Sequence, residues 1–254
     1  DYKRIQFTSD TVPSDVIGFS LYNKESKEFE YVKGAVMCNL LLADEINRTS
    51  SKTQSALLEV MEEGHVTVDG RAHDVPQPFT VIATQNPVGS AGTQLLPQAQ
   101  LDRFMIRLHL GYPEFADEMN LLKDRHTANP LDSVRQVADK EALLKMQKEA
   151  VAVHMADSLY EYVTRLSRAT REHAMITLGL SSRGALAVCR MAKAHAYMEG
   201  RDYAVPEDVA AIFADVSGHR VILSPKAKMT ETSASSVIES VLASVPMPAA
   251  GRGE

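Results

Sequence analysis

The chain has 254 residues, 44% of them hydrophobic, and its 33 acidic residues exceed its 27 basic ones, giving a formal net charge of −6. This length and apolar content are enough for one large domain or two small ones with buried cores. The acidic balance disfavours nucleic acid as a partner. No apolar run approaches the roughly 18–20 residues of a membrane span, and no signal peptide precedes the first strand. The two cysteines have no metal-ligand spacing and fit a reducing compartment, so we expect a cytoplasmic protein.

The chain begins at Asp1 rather than at a Met, and an alternating strand over residues 2–7 follows almost at once. We therefore expect the sequence to be a piece of a longer protein. A short turn or helix starts at Pro13. Residues 18–33 contain two alternating runs around a polar segment, a pattern that predicts a hairpin.

Residues 39–48, NLLLADEINR, are the most informative stretch. A continuous apolar run that ends in acid is typical of a buried strand in a parallel sheet, whose carboxyl end is where such folds place ligands. Asp44 could fix a hard cation and Glu45 could orient or deprotonate a water, although neighbouring side chains on a strand point differently. The alternative is an acidic turn that caps the following helix.

A helix over about 51–63, ended by Gly64, follows this strand, and Asp69-Gly70 then marks a second hairpin. Residues 79–86, FTVIATQN, form another buried-type strand that ends in polar groups. Strands that flank a helical crossover tend to be neighbours, so Asn86 is expected beside the two acids. A plain Asn-Pro turn is the alternative.

A Gly-rich loop at 89–93 leads to a short helix from Pro97, PQAQLDRF, and to an apolar strand predicted at 105–110. Arg103 lies near the end of that helix. Its planar fork of donors suits a phosphate group, and an arginine acting on a transferring phosphate is worth roughly 10³ to 10⁵ in rate. A surface salt bridge is the alternative.

Near residue 112 the sequence pattern changes to one that is typical of helices. We therefore predict a domain boundary there and a linker over 127–135. Arg183 is the candidate site residue of this half, with a solvated helix start as the alternative. The remainder is predicted to be helical over 115–126, 139–151, 157–171, 183–199, 206–217 and 234–244.

Seven motifs occur in the order found in MoxR-type AAA+ ATPases, and this resemblance covers nearly the whole chain. They are LLLADEINR, KTQSALLEVMEEG, the hairpin with VDG, FTVIATQNP, QLDRF, GYP and LSSRGAL. The resemblance implies an α/β fold, with a partial AAA+ parallel-sheet domain at 1–112, an all-α lid domain at 113–245 and a flexible tail at 246–254. Residues 18–33 look like the helix-2 insert and 64–76 like the hairpin before sensor 1.

The resemblance also implies a role in ATP hydrolysis for each candidate residue. Asp44 matches the Walker B aspartate that supports Mg²⁺, and Glu45 matches the acid that activates the attacking water. Asn86 matches the sensor 1 residue that positions this water. Arg103 matches the arginine finger, which acts in trans, and Arg183 matches the sensor 2 arginine that binds the nucleotide.

Proteins of this type act as ring-shaped homo-oligomers, most often hexamers, that hydrolyse ATP at subunit boundaries. The resemblance therefore implies a chaperone that remodels or matures a client protein, including by metal or cofactor insertion. A protein with a von Willebrand factor A domain is the implied partner. Arg48 and Lys52 are interpreted as solvated residues of a helix start, with contact to a neighbouring subunit as the alternative.

The sequence departs from the family in two places. It contains no GxxxxGK[ST] phosphate loop, which we expect upstream of Asp1, and these residues alone should bind ATP poorly. Ser-Ser-Arg replaces the more usual Ser-Pro-Arg at 181–183. Two other functions stay open: a magnesium-chelatase-like ATPase subunit, and a non-catalytic scaffold module without a phosphate loop.

Overall fold

The computed structural model describes residues 1–86, 96–124 and 130–248, and the chain divides into two compact units, Asp1–Met105 and Ile106–Glu254. The Gly-rich loop predicted at 89–93 lies outside the described residues, as do 127–129 of the predicted linker and 249–254 of the predicted tail. The domain limits predicted at 112 and 245 stay predictions. No helix of the described residues is long and apolar enough to cross a membrane.

The first unit combines a small parallel sheet with helices and two hairpins. Its elements are β1 (Tyr2–Gln6), α1 (Pro13–Ile17), β2 (Gly18–Asn23), β3 (Glu28–Lys33), β4 (Leu40–Asp44), α2 (Ser51–Glu63), β5 (His65–Val68), β6 (Arg71–Asp74), β7 (Thr80–Ala83) and α3 (Gln98–Leu101).

The parallel sheet has the strand order β1-β4-β7. Gln6 pairs with Asp44 and Ala43 pairs with Ala83, so the carboxyl ends of all three strands lie at one edge. Leu41 and Ala43 on β4 are fully buried, as expected for a strand flanked on both sides. The predicted central strand and its acidic end are therefore confirmed.

Helix α2 covers the sheet where the sequence predicts it. The Ser50 hydroxyl accepts a hydrogen bond from the Thr53 N–H at 3.3 Å, and Gly64 ends the helix in the left-handed conformation, with φ of 71°. Leu57 and Leu58 are fully buried in the core of the first unit. Capping and an apolar face together explain the helix.

Both predicted hairpins are present. β2 pairs with β3 and β5 pairs with β6, both antiparallel, and the second hairpin turns at Asp69 and Gly70, which have positive φ. The rings of Tyr31 and His73 stack with 3.9 Å between their centroids, which joins the two hairpins.

The prediction of a strand at 105–110 is wrong. These residues have no regular structure, and Leu108 and Leu110 are 65% and 100% exposed. An apolar run becomes a strand only where a neighbouring strand accepts its hydrogen bonds, and none of the described strands pairs with this segment.

The second unit is helical, as predicted, with two small additions. It contains α4 (Phe115–Asp124), α5 (Lys140–Ala152), α6 (Asp157–Glu172), β8 (Ile176–Leu178), α7 (Ser182–Met198), α8 (Pro206–Ser217), β9 (Ile222–Leu223), α9 (Pro225–Met229) and α10 (Ala234–Ser244). The antiparallel pair of β8 and β9 and the short helix α9 are additions to the predicted lid. The core of the second unit includes Tyr162, Leu166, Phe213 and Ile238, all at most 2% exposed.

A buried carboxylate joins the end of α7 to the start of α8. Asp208 is fully buried and accepts hydrogen bonds from Arg201 at 2.6 and 2.8 Å and from the Val205 N–H at 2.7 Å, while His195 Nδ1 lies 2.7 Å from its Oδ1. Burial alone would raise the pKa of Asp208. The hydrogen bonds outweigh it and hold the pKa at about 2, below the usual 3.8.

Replacing Asp208 with Asn should destabilise the second unit. Breaking a buried ion pair costs about 3–5 kcal/mol, and we expect the lower end because Arg201 keeps some contact with water. Since the folded-state pKa is lowered, the stabilisation is complete above the usual pKa and is lost as the pH falls towards about 2. Urea unfolding at pH 7 and at pH 3 measures this difference. Asp157→Asn, at the exposed start of α6, is the control, and an equal loss in both variants would contradict the assignment.

Candidate active site

A cleft of about 360 Å³ opens at the carboxyl edge of the parallel sheet. Three of its lining residues, Asp44, Glu45 and Asn86, are the ones that the sequence predicts would come together. Each comes from the end of β4 or β7, as the crossover argument predicts. The full lining is Arg4, Gln6, Asp44, Glu45, Thr84, Gln85 and Asn86.

Asp44 is held by β1 on one side and by the residue that follows β7 on the other. Arg4 on β1 contacts Oδ2 through Nε at 2.8 Å and through a terminal nitrogen at 2.6 Å. The Thr84 hydroxyl donates to Oδ1 at 2.9 Å. The Arg4 hydrogen bond, followed by that of Thr84, lowers the pKa of Asp44, so this carboxylate is charged at neutral pH.

Glu45 leaves the extended conformation that β4 has up to Asp44. Its φ of 53° and ψ of 46° lie in the left-handed region, which costs a non-glycine residue about 1 kcal/mol or more. The change of backbone direction interrupts the alternation of side chains along the strand. Glu45 therefore lines the same cleft as Asp44, although adjacent residues on a regular strand point to opposite faces.

Arg48 pairs with Glu45, which the sequence did not predict. Its terminal nitrogen lies 2.7 Å from Glu45 Oε2, and this contact is the main cause that lowers the pKa of Glu45. Arg48 is thus more than a solvated residue of a helix start. Lys52 is exposed, in agreement with its interpretation.

Thr84 connects the two acids to β7. Its hydroxyl accepts a hydrogen bond from the Glu45 N–H at 2.9 Å while donating to Asp44, and its carbonyl accepts from the Ile46 N–H at 3.0 Å. These contacts hold the left-handed turn at Glu45 in place. A single residue therefore fixes both the direction of the turn and one carboxylate oxygen.

Asn47 holds the backbone of Asn86. Its side-chain amide donates to the Asn86 carbonyl at 3.1 Å and accepts from the Asn86 N–H at 3.3 Å. Asn47 is 1% exposed, whereas Asn86 is exposed to the cleft. The buried Gln54 amide donates to the carbonyls of Ile46 at 3.1 Å and Thr49 at 3.4 Å, which fixes the start of the same segment.

Arg103 lies in a different cleft of the first unit. Its Nε is 3.3 Å from Glu62 Oε2, and both side chains are about one third exposed, at 33% and 37%. The cleft has a volume of about 370 Å³ and is lined by Ser55, Glu59, Glu62, Glu63, Ala99, Gln100 and Arg103. The structure therefore does not bring Arg103 into the cleft of the two acids.

Arg183 is the second residue of α7 in the second unit. Ser181 caps the amino end of this helix, and its hydroxyl accepts a hydrogen bond from the Gly184 N–H at 3.1 Å. The predicted solvated helix start and the predicted nucleotide contact are both compatible with this position.

The oxygen donors of the first cleft suit Mg²⁺ together with a polyphosphate. Mg²⁺ is usually bound through one or two carboxylates and substrate phosphates rather than by a cage of protein ligands. Asp44 offers such a carboxylate, and the described residues contain no cluster of three or more His, Cys, Asp or Glu side chains that could hold a metal alone. Asn86 and Gln85 add neutral amides beside it.

Two domain models match the chain. Residues 1–106 match the ATPase family associated with various cellular activities (AAA), and residues 168–241 match the AAA lid domain. The fold and the arrangement of acids at the sheet edge define an ATPase domain of the AAA class with its helical lid.

Comparisons that cover nearly the whole chain identify the family within this class. The chain is 45% identical to the uncharacterized protein YeaC of Bacillus subtilis (strain 168), covering 98% of this chain and 78% of the relative. It is 39% identical to the chaperone MoxR1 of Mycobacterium tuberculosis, covering 97% and 67%. A crystal structure of a Cytophaga hutchinsonii protein superposes with a TM-score of 0.89 at 39% identity, covering 98% of this chain and 78% of that one. The chain belongs to the MoxR family of AAA ATPases.

Family membership confirms the resemblance and the predicted fold class. The comparisons do not bear out the phosphate loop predicted before Asp1, which stays a prediction, as do the roles of the individual site residues.

Sequence reasoning missed three residues that organise the cleft, namely Arg4, Thr84 and Asn47. Thr84 precedes Asn86 by two residues, and a hydroxyl at the polar end of a buried strand was a usable signal. Arg4 and Asn47 act through partners about 40 positions away. No local pattern in the sequence reports such a pairing.

Removing the hydroxyl of Thr84 should raise the pKa of Asp44. A hydrogen bond to the charged carboxylate lowers its pKa, so Thr84→Val moves the value back towards that of a free Asp. Arg4→Met should raise it further, because Arg4 is the larger cause. Carboxyl ¹³C NMR titration measures both shifts.

Thr80→Val, at the exposed amino end of the same strand, is the control for this titration. It should leave the pKa of Asp44 unchanged. An Asp44 titration that is the same in Thr84→Val as in the unaltered protein would contradict the contact.

Proposed function

We propose that this protein binds and hydrolyses ATP in the cleft at the sheet edge and uses the energy to remodel or mature client proteins. The observation that carries the proposal is the convergence of Asp44, Glu45 and Asn86 on one cleft in a chain of the MoxR family. Bound Mg²⁺ supplies charge stabilisation for the transferring phosphate.

Asp44, Glu45 and Asn86 have different roles in the proposed hydrolysis. Asp44, charged and fixed by Arg4 and Thr84, holds the metal. Glu45 orients or deprotonates the attacking water, and Asn86 positions that water without repelling the phosphate oxygens, because its amide is neutral. All three are presented by backbone at the end of a buried sheet, which keeps their geometry fixed during the reaction.

Two arginines complete the site in this proposal. Arg103 acts in trans on the nucleotide of a neighbouring subunit. Within its own chain its guanidinium pairs with Glu62. Arg183 links movement of the helical lid to the nucleotide. An arginine finger in trans needs a neighbour at each site, so the protein acts as a ring, most simply a hexamer.

The β2–β3 hairpin contacts the client in this proposal. It exposes a cross-strand aromatic pair, Tyr22 and Phe29, whose ring centroids are 5.4 Å apart, with Phe29 64% exposed. Exposed apolar groups of this kind suit a protein partner. Its stacking on the second hairpin through Tyr31 and His73 allows the two inserts to move together.

A protein with a von Willebrand factor A domain is the proposed partner.

The similarity of nearly the whole chain to a protein named as a chaperone favours this function over the magnesium-chelatase-like alternative. Co-purification with a porphyrin-binding subunit would reverse that preference. The scaffold alternative predicts no ATP hydrolysis by the protein expressed from its complete gene.

Replacing Glu45 with Gln should separate binding from hydrolysis. The amide keeps the size of the side chain but cannot accept a proton, so kcat should fall by about 10² to 10⁴ while ATP binding persists. Steady-state hydrolysis and equilibrium nucleotide binding are measured on the protein expressed from its complete gene. Glu141→Gln, at the start of α5, is the control, and unchanged hydrolysis in Glu45→Gln would reject the role.

Arg103→Ala should lower the rate of ATP hydrolysis roughly 10³-fold. Mixing this variant with a second inactive variant should nevertheless restore activity. In mixed rings, an Arg103→Ala subunit keeps Glu45 and receives an arginine from a Glu45→Gln neighbour, so part of the activity should return. Two affinity tags verify that the rings are mixed. Arg165→Ala, which removes another surface ion pair, is the control. Verified mixed rings without recovered activity would exclude action in trans.

A further inference from the structure

The pairing between β4 and β7 continues beyond the last residues of the two strands. The backbone ladder ends at Ala43 and Ala83, followed by the hydrogen bond from the Thr84 N–H to the Ala43 carbonyl at 2.9 Å. Beyond that point, Asn47 replaces a strand residue. Its side chain makes both the donor and the acceptor contact that a backbone partner would make with Asn86.

This arrangement determines where Asn86 lies. β7 ends at Ala83, so from there no regular ladder fixes the chain. Asn47 itself is fixed, since it lies in a 3₁₀ turn, Ile46–Arg48, whose first carbonyl is held by the buried amide of Gln54. The amide of Asn47 is therefore a rigid support, and the exposed Asn86 depends on it.

We propose that Asn47 is a positioning residue for ATP hydrolysis, which acts by holding the backbone of Asn86 so that its side chain meets the attacking water. The inference rests on the proposed function of Asn86. It adds a direct link between the segment that carries Asp44 and Glu45 and the residue that positions the water. An error of about 1 Å in such a position is enough to cost on the order of 10²-fold in rate.

The sheet offers a matched control at its opposite edge. The amide of Asn39 donates to the Pro78 carbonyl at 3.1 Å and so connects the same two chain segments at the amino ends of their strands. Asn39 immediately precedes β4, at the end of the strand opposite to the acids, and it lines no part of the cleft. Asn39→Ala therefore removes a comparable side-chain to backbone contact without touching the proposed site.

The test measures kcat, KM for ATP and Tm for the protein expressed from its complete gene, in Asn47→Ala, Asn86→Ala, the double variant and Asn39→Ala. We expect Asn47→Ala to lower kcat about 10-fold to 100-fold with KM unchanged, and Asn39→Ala to leave kcat unchanged. If Asn47 acts through Asn86, the double variant should be no slower than Asn86→Ala alone.

Asn47→Asp provides a second variant of nearly the same shape if Asn47→Ala does not fold. It keeps the acceptor for the Asn86 N–H but turns an oxygen towards the Asn86 carbonyl, so kcat should again fall. An unchanged kcat in the folded variants, while Asn86→Ala is slow, would overturn this inference and leave the proposed function intact. Independent, multiplicative losses in the double variant would also overturn it. An unchanged kcat in Asn86→Ala would instead overturn the proposed role of Asn86, and this inference with it.

Discussion

The site depends on side chains that extend the pairing of β4 and β7 past the point where the backbone ladder stops. A parallel sheet by itself delivers only the ends of its strands to one edge. Thr84 and Asn47 carry the connection further, one through its hydroxyl and the other through its amide. The backbone itself adds one hydrogen bond in this region, from the Ile46 N–H to the Thr84 carbonyl at 3.0 Å. The two side chains supply the contacts that link Asp44 and the backbone of Asn86 to the opposite segment. The geometry of the cleft is thus set by polar contacts beyond the hydrophobic core.

The backbone at Glu45 shows why such contacts are needed. A regular strand would have placed Asp44 and Glu45 on opposite faces, and the left-handed turn brings both to one cleft at a cost in backbone energy. Hydrogen bonds from the Glu45 and Ile46 N–H groups to Thr84 offset that cost. Strain of this kind persists only where the surroundings hold it, and here the residue that holds the turn also fixes Asp44.

Much of this structure follows from local sequence patterns. The central strand, helix α2, both hairpins and the longer helices of the second unit lie where periodicity and turn residues indicate, because these signals act within a few residues. The strand order also places Asn86 beside the acids. What local patterns cannot supply is a partner: residues 105–110 have the composition of a strand but no strand beside them among those the structure describes, and Arg4 reaches Asp44 from another strand. Both outcomes depend on contacts between distant parts of the chain.

Asp44 and Asp208 show why a perturbed carboxylate does not by itself identify a functional site. The pKa of each is lowered by an arginine and by a further hydrogen-bond donor. Asp208 uses its oxygens entirely within the protein and is fully buried, so its charge serves to join α7 to α8. The side chain of Asp44 is 18% exposed, lines an open cleft and lies beside a second acid and an amide. A charge that a ligand can reach, with its orientation fixed by neighbours that stay in place, is available for chemistry, whereas an equally stabilised charge enclosed by the protein contributes only to the fold.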